Sequence, residues 1–352
     1  MIFSYILLDF NIFKQVKSIF AIALLYFCKN LKLISLLDPV VLFFVLGAFS
    51  GVVKSDLRIP EAFYNTLSIY LLLSIGIKGG IELYKSNFDM ILLPAIGTVS
   101  LGFIITYLAF FILEKFGNFD RTNAIAIATH YGSVSAVTFA VVLSYLQDKL
   151  VPYEEFSTVL LVLLEIPSIA MGIFLAGIFA KTEKLNTKAL LHEIFFGKTI
   201  LLLLGGLFIG FVTAHTGNKQ INFFFFDLFK GFLAIFMLEM GVVTSQRFGD
   251  LRKVGKFLLG FGIIMPLISA TIGILIADLT GLSLGGAVVL GTMAASASYI
   301  AAPAAMRIAL PDANPTYYLT AALGITFPFN IVLGIPIYYN LAKFFYSTIA
   351  LN

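Results

Sequence analysis

The chain has 352 residues, 60% of them hydrophobic and only 12% charged, with a mean hydropathy of +1.00. A soluble domain needs about a quarter of its residues charged to cover its surface, so a soluble enzyme, a nucleic-acid binder and a disordered scaffold are excluded in favour of an integral membrane protein. The net charge of +4 implies no polyanion partner, because membrane proteins gather Lys and Arg in cytoplasmic loops.

In chain order, residues 1–36 hold an apolar stretch, 19–28, that is too short to span a bilayer and predicts an interfacial amphipathic helix. Apolar runs then predict spans at 39–53, 62–77, 90–113, 122–146, 156–180, 198–213, 226–244, 254–277, 282–308 and 316–345. Stretches such as KTILLLLGGLFIGFV from Lys198 are apolar on every face, which argues against the alternation of a membrane barrel. The fold class expected is therefore an all-α polytopic membrane protein of ten transmembrane helices. The first five fall in 37–180 and the second five in 198–345, with a short cytoplasmic linker at 181–197 and a C-terminal end at 346–352.

Lys and Arg in alternate loops number 13 against 6, which puts Lys54, Arg121, Lys198 and Arg307 in the cytoplasm with the rest of the larger set. Lys78, Lys149 and Lys230 then lie outside, as do both ends of the ten-helix unit. Four lysines of the N-terminal tail, Lys14, Lys17, Lys29 and Lys32, oppose this count.

The chain also repeats itself at a spacing near 160 residues. Gly47 and Gly51 answer Gly206 and Gly210, Ser133-Val134-Ser135 answers Ser296-Ala297-Ser298, Pro152 answers Pro315, and Glu165-Ile166-Pro167 answers Thr326-Phe327-Pro328, in one order. Five helices per half is an odd number, so the second half would enter the membrane from the opposite side, giving a five-plus-five inverted repeat of the kind typical of transporters.

The chemistry-bearing residues follow that repeat. Gly132 and Ala295 leave no bulk beside Ser133, Ser135, Ser296 and Ser298, whose hydroxyls supply donors and acceptors in the fourth and ninth spans. A helix broken at each point would offer free N–H groups to an anion and free carbonyls to a small cation; the alternative is close helix packing through small residues. Glu165 and Glu239 lie well inside spans, where an ionised carboxylate costs several kcal/mol unless paired or solvated. Oxygens from Glu165, Thr326 and Asn330 suit Na+, with Glu239 as a further candidate. The Gly47/Gly51 and Gly206/Gly210 pairs read as packing motifs, and Phe223–Phe226 as lipid-facing or interfacial.

Other classes fit less well. The single cysteine, Cys28, and the scattered His130, His192 and His215 support neither a disulfide nor a metal cluster. Gly197-Lys198-Thr199 lacks the first glycine of a phosphate-binding loop, since His192 stands there. A membrane hydrolase would have to use Ser133 with His130, and no acid orients that histidine. No catalytic residue and no cofactor are expected beyond Na+ as coupling ion. A passive channel or sensor remains an alternative.

At SIGIKGG (74–80), YGSVSAVT (131–138), LLEIPS (163–168), LEMG (238–241) and the long segment 295–342, the chain resembles the sodium-dependent bicarbonate transporters known from cyanobacteria. The resemblance implies a core and a gate domain, a homotrimer in a bacterial inner membrane, and import of bicarbonate with Na+. It puts both serine motifs in the substrate and ion region, brings Gly76 in as a further substrate-side residue, and matches Asn330 to the family's second-half asparagine. The alternative substrate is another small anion such as a carboxylate. Two departures stand out: Glu165 occupies a position where Asp is usual, and the short 181–197 loop argues against reception of a PII-like regulatory protein.

Overall fold

The computed structural model describes residues 38–57, 59–179, 187–215 and 222–349. The amphipathic helix expected in 1–36 lies outside these residues. Among the described residues there is no strand.

Helix α1, Pro39–Val52, starts where the Asp38 carboxylate accepts the Val40 amide at 2.7 Å and Pro39 fills the first helical position. It is followed by α2 (Glu61–Lys85), α3 (Asp89–Lys115), α4 (Arg121–Gly132), α5 (Ala136–Asp148), α6 (Ser157–Phe179), α7 (Thr187–Phe196) and α8 (Lys198–Thr213). A π-helical turn, Phe223–Asp227, then leads to α9 (Phe229–Arg247), α10 (Leu251–Leu279), α11 (Leu284–Ala295) and α12 (Ala301–Ala309). Last come α13 (Pro315–Leu319), α14 (Phe327–Phe329) and α15 (Ile335–Ile349), joined into one run by π-helical segments Thr320–Thr326 and Asn330–Gly334.

Among the described residues, six helical runs are long and apolar enough to cross a membrane, and α7 with α8, bent by 44° at Gly197, makes a seventh. Helices α1 and α11 are apolar but shorter. One of the six runs, Phe229–Leu279, contains both the seventh and the eighth expected spans. Gly255, at φ 77°, marks a kink near its middle, a conformation that L side chains rarely adopt.

The structure differs from the sequence reading in four places. The fourth and ninth spans are each interrupted, at 133–135 and 296–300. The second span, expected at 62–77, runs on to Lys85 because Lys78 and Glu82 turn into a polar cavity and not toward lipid. Half of the 181–197 linker is helical, as α7. In the phenylalanine run, Phe223 and Phe224 are exposed, but Phe225 stacks on Tyr70 with centroids 5.8 Å apart and lines that cavity with Phe226.

The helices pack as two groups. In the first, α1 lies on α9 and α2 on α8, so each contact joins an early helix to a late one. Glycines set these contacts: a Cβ on Gly47 would come 1.8 Å from the Leu238 carbonyl oxygen, and one on Gly210 would come 2.0 Å from that of Ile77. With backbone against backbone, dispersion and close approach hold the pairs where lipid supplies no hydrophobic drive. In the second group, α3, α4 and α6 pack together, as do α10 and α11, with α5 and α15 against α11. Loop contacts keep to one face at a time. Lys230 pairs with Asp148 at 2.7 Å on the Lys78 face, while on the opposite face the Asn314 amide donates to Asn123 Oδ1 at 2.8 Å.

Two neighbouring glycines of α8 test this packing. Gly210→Ala should destabilise the protein by about 1–3 kcal/mol through overpacking. Gly205→Ala, with nothing within 4 Å of the new Cβ, should leave stability unchanged or raise it by about 1 kcal/mol. Thermal unfolding of the purified protein in detergent reads both; equal melting temperatures for the two variants would remove the glycine contact as the cause.

Candidate functional site

Two helix pairs are interrupted at the same level of the second group. Helix α4 ends at Gly132, Ser133 is extended at ψ 179°, and α5 restarts at Ala136, where the Ser135 hydroxyl accepts the Thr138 amide at 3.1 Å. Helix α11 ends at Ala295, and α12 restarts at Ala301 with the Ser298 hydroxyl accepting the Ala302 amide at 3.2 Å. Ser135 is the N-cap of α5, while Ser298, two residues before the N-cap Ile300, likewise takes up one of the first amides of α12.

The two extended segments are bonded across each other. The Ser135 amide donates to Ser296 Oγ at 2.9 Å, and the Ser298 amide donates to the His130 carbonyl at 2.8 Å. Ser296 Oγ itself donates to the Met293 carbonyl at 2.7 Å. All four serines are buried. The N-termini of α5 and α12 thus meet the C-termini of α4 and α11, so partial positive and partial negative ends converge in a low-dielectric interior.

Carbonyls at the ends of α4 and α11 are held by side chains. Ser168, directly after Pro167 in α6, donates to the Thr129 carbonyl at 2.8 Å and stands 3.2 Å from Thr106 Oγ1. Asn330 donates to the Ala295 carbonyl at 2.9 Å, while its Oδ1 accepts from the Tyr338 hydroxyl at 2.6 Å. Thr326 donates to the Gly262 carbonyl at 2.7 Å, so the Tyr131 hydroxyl, 2.7 Å away, must be the donor to Thr326. Gly132 is needed for this closeness, since a Cβ there would fall 1.9 Å from Thr106 Oγ1.

Some buried polar atoms lack any such partner. Ser133 Oγ and Glu165 Oε2 make no hydrogen bond, with Ser133 fully buried and Glu165 only 2% exposed. His130 donates from Nδ1 to the Ala126 carbonyl at 2.6 Å, its ring stacks on Tyr318 at 4.4 Å, and Nε2 is left as a buried acceptor without a partner. Such atoms in an apolar interior cost about 1–3 kcal/mol each unless a ligand or water satisfies them.

Of the residues singled out in the sequence, Gly132, Ser133, Ser135, Ala295, Ser296, Ser298 and Asn330 come together at the crossing. Thr326 joins them through Tyr131, the neighbour of Gly132. Glu165 lies on α6, one turn before Ser168. Gly76 and Glu239 are elsewhere: Gly76 sits in the α2–α8 contact, where a Cβ would lie 2.7 Å from the Leu203 carbonyl oxygen, and Glu239 sits on α9 of the other helix group.

A profile of known transporters matches residues 39–343, nearly the whole described chain. The chain belongs to the Na+-dependent bicarbonate transporter superfamily. A comparison with curated proteins finds no match. Membership makes this a transporter and not an enzyme, which disposes of the Ser133–His130 hydrolase on grounds independent of its missing acid. With several apolar runs long enough to cross a bilayer, this member of the superfamily is a multi-pass membrane protein.

Sequence reasoning missed Thr106, Thr129, Ser168, Tyr131 and Tyr338. Ser168 carried a signal, standing beside the helix-breaking Pro167 and offset from Asn330 by the repeat spacing. The tyrosines gave none, because their hydroxyls matter only through partners distant in the chain.

The crossing makes two serines behave differently. Ser296→Ala leaves the Ser135 amide buried without an acceptor and should lower stability by about 1–3 kcal/mol. Ser133→Ala removes a hydroxyl that bonds nothing in the protein and should leave stability unchanged. Unfolding midpoints of the two purified variants decide; a larger loss for Ser133→Ala would overturn the assigned bonds.

Proposed function

We propose that the protein imports bicarbonate together with Na+ by alternating access, and that both ions bind at the crossing of the two interrupted helices. The observation that carries this reading is the convergence of four helix ends on two hydrogen-bonded extended segments. The anion would sit at the N-termini of α5 and α12, held by backbone N–H groups and by Ser133, whose hydroxyl has no protein partner. Na+ would take oxygens from Glu165, from Asn330 or Thr326, and from the carbonyl ends of α4 and α11. Glu165 Oε2, buried without a donor, is the one charge that could offset the cation's own.

Coupling follows from charge. Opposite unit charges about 4 Å apart attract by about 4 kcal/mol at an effective dielectric constant near 20, so each ion raises the affinity for the other, reciprocally. A bundle that rocks only when both sites are filled, or both empty, then moves the ions together. The five-plus-five inverted repeat with a core and a gate domain belongs to this proposal. It is supported by the matching roles of Ser135 and Ser298 and by the cross-pairing of α1 with α9 and α2 with α8. From the family resemblance we infer a homotrimer in a bacterial inner membrane, with the ends of the ten-helix unit outside.

Radiolabelled bicarbonate uptake into reconstituted vesicles tests the reading. At fixed pH, uptake should vanish when Na+ is replaced by choline; uptake that persists and follows a pH gradient would falsify it. Glu165→Gln should stay folded and lose Na+ dependence, and Glu165→Asp should be milder. An unchanged Na+ half-saturation in the Gln variant would move the cation away from Glu165.

A further inference from the structure

Between the two helix groups, on the Lys78 face, lies a cavity of about 90 Å³. Its walls come from α2, α5, the start of α6 and the π-helical turn before α9. At about 30 Å³ per liquid water it holds roughly three waters, or one small planar oxyanion. Lys78, about two turns before the end of the apolar helix α2, reaches into it, and its side chain is 36% exposed. A lysine inside a membrane helix is costly enough to mark a function by default.

The polar groups around this cavity are arranged as donors. The Tyr153 hydroxyl accepts from Lys78 Nζ at 3.5 Å and from Gln147 Nε2 at 3.2 Å, which leaves its own hydrogen free to donate. Ser144, 6% exposed, lines the same cavity with an Oγ that has no partner. The acids on the wall are Glu82 and Glu155. Glu82 stands 3.9 Å from Lys78, a loose pair that an arriving anion can replace. Lys230, also on the wall, is taken up by Asp148 at 2.7 Å, so Lys78 is the cation left for a ligand.

One wall residue, Ile75, is shared between this cavity and a space beside the crossing. A second, smaller space of about 10 Å³ is lined by Ser68, Ile75, Ala136, Val137 and Ile300, among others. Ala136 opens α5 and Ile300 precedes α12, so this space touches both interrupted helices. Ile75 lines both spaces and separates them.

We propose that the cavity is a first binding site for a small oxyanion on its way to the crossing, with Lys78, Tyr153 and Ser144 as its ligands and Lys78 as the residue that selects for negative charge. The site rests on the transport reading for its cargo, but its preference for anions does not. Ile75 is the apolar plug between it and the crossing.

Two measurements separate these claims. In reconstituted vesicles at saturating Na+, Lys78→Met should raise the KM for bicarbonate roughly 10-fold while Lys78→Arg stays within about 3-fold, and Ser144→Ala should raise it about 2- to 3-fold, as expected for one charged and one neutral hydrogen bond. The wild-type KM should rise with inert salt and that of Lys78→Met should not. Na+ half-saturation should be unchanged; a shift there, with KM for bicarbonate intact, would assign the cavity to the cation through Glu82 and Glu155 and overturn the proposal. The second measurement needs no transport: in a Cys28→Ser background, Gln147→Cys at the cavity mouth is alkylated by an anionic sulfonate-bearing methanethiosulfonate and by a neutral one. The anionic-to-neutral rate ratio should fall at least about 3-fold on adding Lys78→Met. An unchanged ratio overturns the anion site. Wild-type vesicles that take up no bicarbonate, with the ratio falling as expected, would sink the cargo and keep the site.

Discussion

The structure depends on one constraint, which is that backbone groups freed inside an apolar protein must find partners. Interrupting α4 and α11 releases amides and carbonyls where no bulk water can be assumed. The protein answers with two amide donations across the crossing, from Ser135 to Ser296 Oγ and from Ser298 to the His130 carbonyl. Two side chains, Ser168 and Asn330, then reach in from α6 and the last helical run to hold the carbonyls of Thr129 and Ala295. Most of the polar side chains buried around the crossing are consumed in this task. That is why the exceptions, among them Ser133 Oγ, Glu165 Oε2 and His130 Nε2, stand out as atoms with something left to bind.

The two halves solve the same problem with different chemistry. In the first, hydroxyls do the holding: Thr106 donates to the Gly102 carbonyl beside Ser168, and Ser168 to the Thr129 carbonyl. In the second, an amide and a tyrosine take over, through Asn330 and Tyr338, while the Tyr131–Thr326 bond ties the two halves together. The carboxylate Glu165 has Thr326 as its sequence counterpart, so any net negative charge at the site comes from one half alone. On the transport reading, a single fixed charge suits a site that must bind a cation and an anion together and release both. Two fixed carboxylates would repel the anion.

What the sequence made legible was whatever repeats or breaks a pattern locally. The duplicated serines located the crossing because small and hydroxyl residues are rare in runs otherwise filled with Leu, Ile and Phe. The glycine pairs Gly47/Gly51 and Gly206/Gly210 located the helix contacts, and the structure adds that their partners lie across the halves, at Gly241 and at Gly76. Gly76 shows the limit of the method: its neighbourhood in SIGIKGG attracted a ligand role, while the structure puts it in the contact with α8. Residues whose meaning depends on distant partners were invisible. Lys78 counted only as a loop-side charge until folding brought it to one cavity with Tyr153 and Ser144.

Packing density also says where motion can occur. The α1–α9 and α2–α8 contacts are made backbone to backbone, with Gly80 as close to the Leu207 carbonyl as a missing Cβ allows. Helices in such contact have no free volume through which to slide, so these four are expected to move as one body. The α2–α5 boundary is built in the opposite way. It carries the cavity on the Lys78 face and the small space beside Ala136, and the side chains between them, Ile75 among them, can change rotamer without breaking a backbone bond. Elsewhere rings join the first group to the last helical run, where Phe327 meets both Tyr299 and Phe44 at 5.6 Å. On the proposed alternating-access reading, a rigid pair of helix contacts beside a boundary with free space is what exposing the crossing to one face at a time requires.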